Sequence, residues 1–190
     1  DAELVDRLRA GDQQAFAELV RRYHAPLLRL AESTLGSRAV AEEAVQDTWL
    51  AVVRGVARFE GRSSFKTWLY RILLNRARSA GSRELRAGRP RDDIDQVERF
   101  DAGGAWADPP EPWADRVDDR LLAASLAERV HALLDQIPVG SRQVVLLRDL
   151  EGLPAAEVAE LVGVSAGHER VLLHRGRARL RQLLTEEMVS

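Results

Sequence analysis

Apolar residues recur three and four positions apart along most of this chain, the spacing that builds one face of an α-helix, so the predicted fold class is all-α. Leu4, Val5 and Leu8 mark a short first helix closed by Gly11, and Asp12 stands where an N-cap would start the second. That second stripe, Ala15, Phe16, Leu19, Val20 and Tyr23, is interrupted by Pro26 and resumes from Leu27 to Leu35, which predicts a kinked or broken helix ending at Gly36. Ser37 caps a longer helix reaching about Arg58, with Val40, Ala44, Val45, Thr48, Trp49, Val52, Val53 and Val56 as its buried side. A polar turn, Phe59 to Ser64, leads through a Ser63 or Ser64 cap into a helix that turns Phe65, Leu69, Ile72 and Leu73 toward a core.

From about Gly88 to Pro112 the apolar period lapses in an acidic stretch rich in glycine and proline, the composition of a linker, although Trp106 and Trp113 suit docking on a surface. Helical spacing returns from Val117 to Ile137, where Pro138 ends it, and Ser141 is expected to cap a helix closed near Gly152. The stretch LPAAEVAELVGVSAGHERVLLHRGRARLR, Leu153 to Arg181, places Pro154 in a first turn, Gly163 as a left-handed stop and Ser165 as the next N-cap. Two helices joined by so short a turn make a helix-turn-helix, with the second helix reaching about Leu184. The predicted organisation is two small helical domains, residues 1–87 and 117–190, joined by a flexible acidic linker, 88–116.

Composition narrows the classes. The chain has 190 residues, 45% apolar and 31% charged, the balance of a water-soluble globular protein. It contains no bilayer-length apolar run, no signal-peptide pattern and no cysteine, so membrane insertion, secretion and thiolate or disulfide chemistry are not expected, and a cytoplasmic location is. The chain begins at Asp1, not at methionine, which points to a short N-terminal stretch missing before it.

The net charge of −2 conceals segregation. Arg62, Lys66, Arg71, Arg76, Arg78, Arg83 and Arg86 face only Glu84 in their stretch; acids then predominate from Gly88 to Arg120; and the last helix carries Arg170, Arg175, Arg177, Arg179 and Arg181 against Glu169. Two basic modules separated by an acidic spacer suit nucleic acid. In the first, arginines alternate with Trp68 and Tyr70 beside the Phe59 to Ser64 loop, as a single-strand binder requires, since cations track phosphate and rings stack on unpaired bases. By periodicity alone Phe65 and Trp68 are core residues. Glu42, Glu43, Gln46 and Asp47 line the outer face of the Ser37 to Arg58 helix. No histidine follows these acids at the spacing of a bundle metal site, so neither a metal nor a cofactor is expected, and the face reads as solvated or as a protein-docking surface.

These segments resemble the extracytoplasmic-function (ECF) sigma factors of bacterial RNA polymerase. GDQQAFAELVRRYHAPLLRLAESTLG is similar to the start of sigma region 2, AEEAVQDTWLAVV to its polymerase-docking helix, SSFKTWLYRILLNRARS to its promoter-melting helix, and LLDQIPVGSRQVVLLRDLEGLPAAEVAELVGVS to region 4. The resemblance implies a non-enzymatic initiation factor whose partners are core RNA polymerase, promoter DNA as duplex and as melted non-template strand, and an anti-sigma factor. It implies that Glu42, Glu43, Gln46 and Asp47 bind core polymerase. It implies that Phe59, Arg62, Ser63, Ser64, Lys66, Trp68, Arg71, Asn75 and Arg76 meet the minus-ten element, where a base is flipped out. It implies that His168, Arg170, Val171, His174, Arg175, Arg177 and Arg179 meet the minus-thirty-five element. Sigma factors bind promoters weakly without polymerase, and the acidic linker is expected along the RNA-exit path. The chain departs from the family at Pro154, where a capping serine or threonine is usual, and at the head of the last helix, where Glu169 would repel phosphate or accept from a cytosine amino group. A helix-turn-helix regulator of another family would explain only the C-terminal half, and a protein adaptor neither basic segment.

Overall fold

The computed structural model describes residues 1–86, 130 and 132–189, and these form helices and turns only. The first lobe holds α1 (Ala2–Arg9), α2 (Gln13–Leu35), α3 (Arg38–Gly55), a short 3-10 turn (Val56–Arg58) and α4 (Phe65–Arg86). The second holds the end of a helix at Leu134, then α5 (Val139–Val145), a π-turn (Leu146–Leu150), α6 (Ala155–Val162) and α7 (Ala166–Val189). The expected linker and most of the Val117 to Ile137 helix lie outside the described residues.

Local chemistry sets most boundaries. The Asp12 carboxylate accepts from the backbone N–H of Gln14 at 2.8 Å and of Ala15 at 3.3 Å; the Arg7 guanidinium at 2.7 Å, and then these two bonds, hold its pKa below the usual carboxylate range. Ser64 caps α4 through the N–H of Thr67 at 3.0 Å, and Ser165 caps α7 through that of His168 at 3.2 Å. Gly36 and Gly163 end α2 and α6 with φ of 64° and 81°, a region that disfavours side chains.

Four expectations are corrected. The break expected as one alternative at Pro26 does not occur: α2 runs continuously through it, because Leu19, Tyr23, Leu27, Leu30 and Ala31 form one buried stripe across the missing hydrogen bond. Ser141 does not cap a helix: α5 starts at Val139 behind Pro138, and Ser141 is buried within it. Pro154 occupies the N-cap position of α6 and not its first turn. Val53 leaves the α3 core stripe and is 54% exposed, because a stripe from Val40 to Val56 is wider than the face one neighbouring layer covers.

In the first lobe α2, α3 and α4 bury Leu19, Leu27, Leu30, Val45, Val52, Leu69, Tyr70 and Leu73. In the second, α5 and α7 pack so closely at Gly176 that a Cβ there would lie 2.5 Å from Val145 Cγ2 and 3.1 Å from the Ser141 carbonyl oxygen. The lobes touch: α2 meets α5 and α4 meets α6.

Candidate nucleic-acid interface

The loop after α3 is built on aromatic packing. Phe59 lies 5.0 Å from Trp68 and 6.1 Å from Phe65 between ring centroids, and Phe65 lies 5.7 Å from Trp68. Trp68 also sits over Gly55, where a Cβ would come within 3.3 Å of the indole. Arg9 stands 5.8 Å from the Phe59 ring centroid and donates to the Phe59 carbonyl, tying α1 to the loop. Phe65 is buried and Trp68 half-buried, so both are primarily core residues; Tyr70 is fully buried and offers no ring to a base. Burial, and then the Glu151 carboxylate, push the Tyr70 phenol well above its usual range. The loop itself is open: Arg62 is exposed and paired with Glu60, Ser64 is exposed and Ser63 partly so.

Along α4 the basic residues meet acids of the second lobe. Lys66 pairs with Glu151 at 3.0 Å and also donates to its backbone carbonyl. Arg71 pairs with Glu160 at 3.0 Å, Thr67 donates to Glu157, and Arg78 donates to the Leu161 carbonyl. Gln143 of α5 donates to the Thr34 hydroxyl of α2 at 2.9 Å. Asn75 accepts from Arg78 at 3.1 Å, and Asn75 and Arg76 are exposed. Glu157 is thus spent across the lobes. Long-range pairs of this kind carry no local sequence signal.

α3 presents Glu42, Glu43 and Gln46 to solvent, with Asp47 partly covered, and Glu42 pairs with Arg38 at 3.0 Å. The same surface carries Leu50, 53% exposed, and Val53. Sequence reading missed this apolar strip, although positions four and seven beyond Gln46 fall on the Gln46 face.

On α7, His168 and Arg170 are exposed, while Val171, His174, Arg175 and Arg179 are half-buried. Burial, followed by Arg177 and Arg181, lowers the His174 pKa from 6.5. Two assignments change. Glu169 is only 1% exposed and lies 3.2 Å from Arg148, so it neither repels phosphate nor reads a base. Arg177 grips Asp149 through Nε at 2.9 Å and Nη2 at 2.6 Å, a bidentate bond that raises its already high pKa. Among the described residues no cluster of three metal-type ligands occurs, and no helix is long and apolar enough to cross a membrane.

Comparison with known proteins finds a family match in each lobe. The Sigma-70 region 2 family matches residues 19–86, and the Sigma-70, region 4 family matches residues 127–180. The ECF RNA polymerase sigma-E factor of Escherichia coli K12 is 32% identical over 179 residues, 93% of this chain and 90% of that protein. The ECF RNA polymerase sigma factor SigM of Mycobacterium tuberculosis H37Rv is 33% identical over 186 residues, 97% of this chain and 84% of that protein. Among solved structures, CnrH in complex with the cytosolic domain of CnrY is similar at a TM-score of 0.58 and 26% identity, covering 98% of this chain and 97% of that one. The sigma factor RpoE of Bartonella quintana, in complex with the anti-sigma factor NepR, shares the fold at a TM-score of 0.57 and 24% identity over 88% of this chain and 97% of that one.

Proposed function

The chain belongs to the extracytoplasmic-function sigma factors, alternative factors that direct RNA polymerase to promoters, and from that premise we propose how its two lobes divide the work. The first lobe, residues 1–87, docks on core polymerase through α3. Glu42, Glu43, Gln46 and Asp47 supply polar contacts, and Leu50 and Val53 supply apolar area, since exposed apolar residues rimmed by polar ones mark a docking surface. The open loop with Phe59, Arg62, Ser63 and Ser64, together with Lys66, Trp68, Arg71, Asn75 and Arg76, receives the melted non-template strand of the minus-ten element. Unstacking a base costs a few kcal/mol, which phosphate contacts and a fitted pocket offset. The second lobe, residues 117–190, lays α7 in the major groove of the minus-thirty-five element, with Arg170 and Arg175 able to contact guanine and His168, Val171 and His174 beside them. Arg179 meets the backbone. Residues 88–116 connect the lobes.

The work is binding, without covalent chemistry or a cofactor, and takes place in the cytoplasm with the polymerase. An anti-sigma factor is a further partner; support comes from the solved relative CnrH, seen with the cytosolic domain of CnrY. The observation that carries this division is the placing of an acidic and apolar α3 face on the same lobe as a basic, loop-flanked α4, with the helix-turn-helix on the other lobe.

Charge reversal at Asp47 tests it: affinity for core polymerase should fall while helicity is kept, because a charge at the surface, even one partly covered, contributes little to folding. Unchanged affinity would remove α3 from the docking surface. Run-off transcription with permanganate footprinting then separates promoter binding from melting, and replacing Asn75 should impair melting more than duplex binding.

A further inference from the structure

The π-turn Leu146–Leu150 delivers two consecutive residues of opposite charge, Arg148 and Asp149, to the same helix. Arg148 meets Glu169 and Asp149 meets Arg177, so a positive-negative pair on the turn faces a negative-positive pair on α7. Glu169 and Arg177 are eight residues apart, about 12 Å along the helix axis, which places one pin at the head of the helix and one past its third turn. Arg148 also donates to the Leu153 carbonyl at 2.8 Å, so the inner pin ties the turn, the entry to α6 and the head of α7 together.

Between the pins the contact is aliphatic, with a close approach at Gly176 as its one key by shape among the described residues. Leu172, Leu173, Val144, Val145 and Gly176 form an aliphatic contact, and no described residue of this lobe is aromatic. Uniform aliphatic surfaces pack well in more than one setting. Charges of fixed order do not: a slide that brought Glu169 to Asp149, or Arg177 to Arg148, would oppose like signs. The inner pair is also a poor means of gaining stability. Burying ions costs solvation, and apolar replacements of such pairs are often neutral or better, whereas buried charge is best attested as a device that sets register. A π-turn is itself uncommon and tends to occur at functional sites.

We propose that Arg148, Asp149, Glu169 and Arg177 are positioning residues for minus-thirty-five recognition. They fix the rotation and axial setting of α7, and hence which base edges Arg170 and Arg175 reach; Arg177 serves an intramolecular contact and not a phosphate contact. This rests on the reading of α7 as the recognition helix.

The test uses the full chain with core polymerase and a library of minus-thirty-five elements. The double variant Arg148→Leu, Glu169→Leu should keep its helicity and melting temperature, yet lose about tenfold in discrimination between the best and worst elements, the scale of one bidentate base contact. Melting of the minus-ten element on the strongest promoter should persist. A folded double variant with the original preference profile overturns the proposal. Should that variant fail to fold, the exposed pin decides: Asp149→Arg alone should blunt the preference, and Asp149→Arg with Arg177→Asp should restore it. A phosphate role for Arg177 predicts the opposite, a uniform loss on every sequence with no rescue. Arg170→Ala serves as the control for the underlying reading. If it leaves the preference untouched, α7 is not the reader; if it shifts the preference while the pin variants do not, the positioning roles alone fall.

Discussion

The two lobes are built from different materials. Every aromatic residue among those described belongs to the first lobe, where Phe16 meets Trp49 edge-on at 5.7 Å and Tyr23, Phe59, Phe65 and Trp68 form a second group. The second lobe has an aliphatic core, and its turns are fixed by charge: Arg142 to Asp135 at 3.0 Å, Arg148 to Glu169 and Asp149 to Arg177. Large planar rings admit few arrangements, so they can hold a loop open in one shape. Leucines and valines restrict a helix less, and the close approach at Gly176 together with the ion pairs then chooses among its settings. The lobe assigned to an extruded base thus has a loop braced by rings, and the lobe assigned to duplex reading has an aligned rod.

The comparison breaks most visibly at Phe65. Phe65→Ala removes a ring that touches Tyr23, Phe59 and Trp68, and should cost about 3–5 kcal/mol. Amide hydrogen exchange should report the loss in α2 and α4 with α7 still protected; equal loss everywhere would mean that the lobes unfold as one unit. A smaller effect is expected at Gly176. An added methyl meets the stiff Val145 side chain and the Ser141 backbone, so overpacking of about 1–3 kcal/mol exceeds the gain of about 1 kcal/mol that alanine brings to a helix. Gly176→Ala should lower the urea midpoint of the second lobe, and an unchanged or raised midpoint would show that α5 and α7 can separate freely.

The smallest effect is a pH dependence at His174 in the second lobe. The folded-state pKa of His174 lies below the 6.5 of the unfolded chain, so as the pH falls the unfolded chain takes up the proton first. His174 therefore makes no difference well above 6.5, and stability drains away as the pH drops from there toward the folded value. Thermal midpoints measured on both sides of that window should differ less in His174→Gln than in the parent chain. An identical slope would assign the dependence to other groups.

Features written into a few adjacent residues were legible in the sequence. Asp12, Gly36, Ser64, Gly163 and Ser165 all mark the boundaries expected of them, because a cap or a left-handed stop is a local choice. Position within a helix was harder. Pro26 has the chemistry of a break, but a stripe of buried leucines overrides it, and Val53 has the chemistry of a core residue on a face that nothing covers. Least legible were pairings over long separations. Glu169 looks like a residue facing DNA until Arg148 is brought beneath it by the π-turn, and the partners of Lys66 and Arg71 lie on a lobe that no periodicity places there.

That last contact changes what salt should do. A cation waiting in water exchanges a diffuse ion atmosphere for a phosphate, and the affinity of a strand then falls steeply as salt is added, by about 0.7 in log units for each single-strand phosphate and each log unit of salt. Lys66 and Arg71 are not free cations; they already hold Glu151 and Glu160 on the same chain. Added salt weakens their grip on those acids as well as on a strand. For the isolated chain the two responses oppose each other, so its affinity for minus-ten single strand should vary with salt less steeply than its count of basic residues suggests. The acids act as counterions that cannot be diluted.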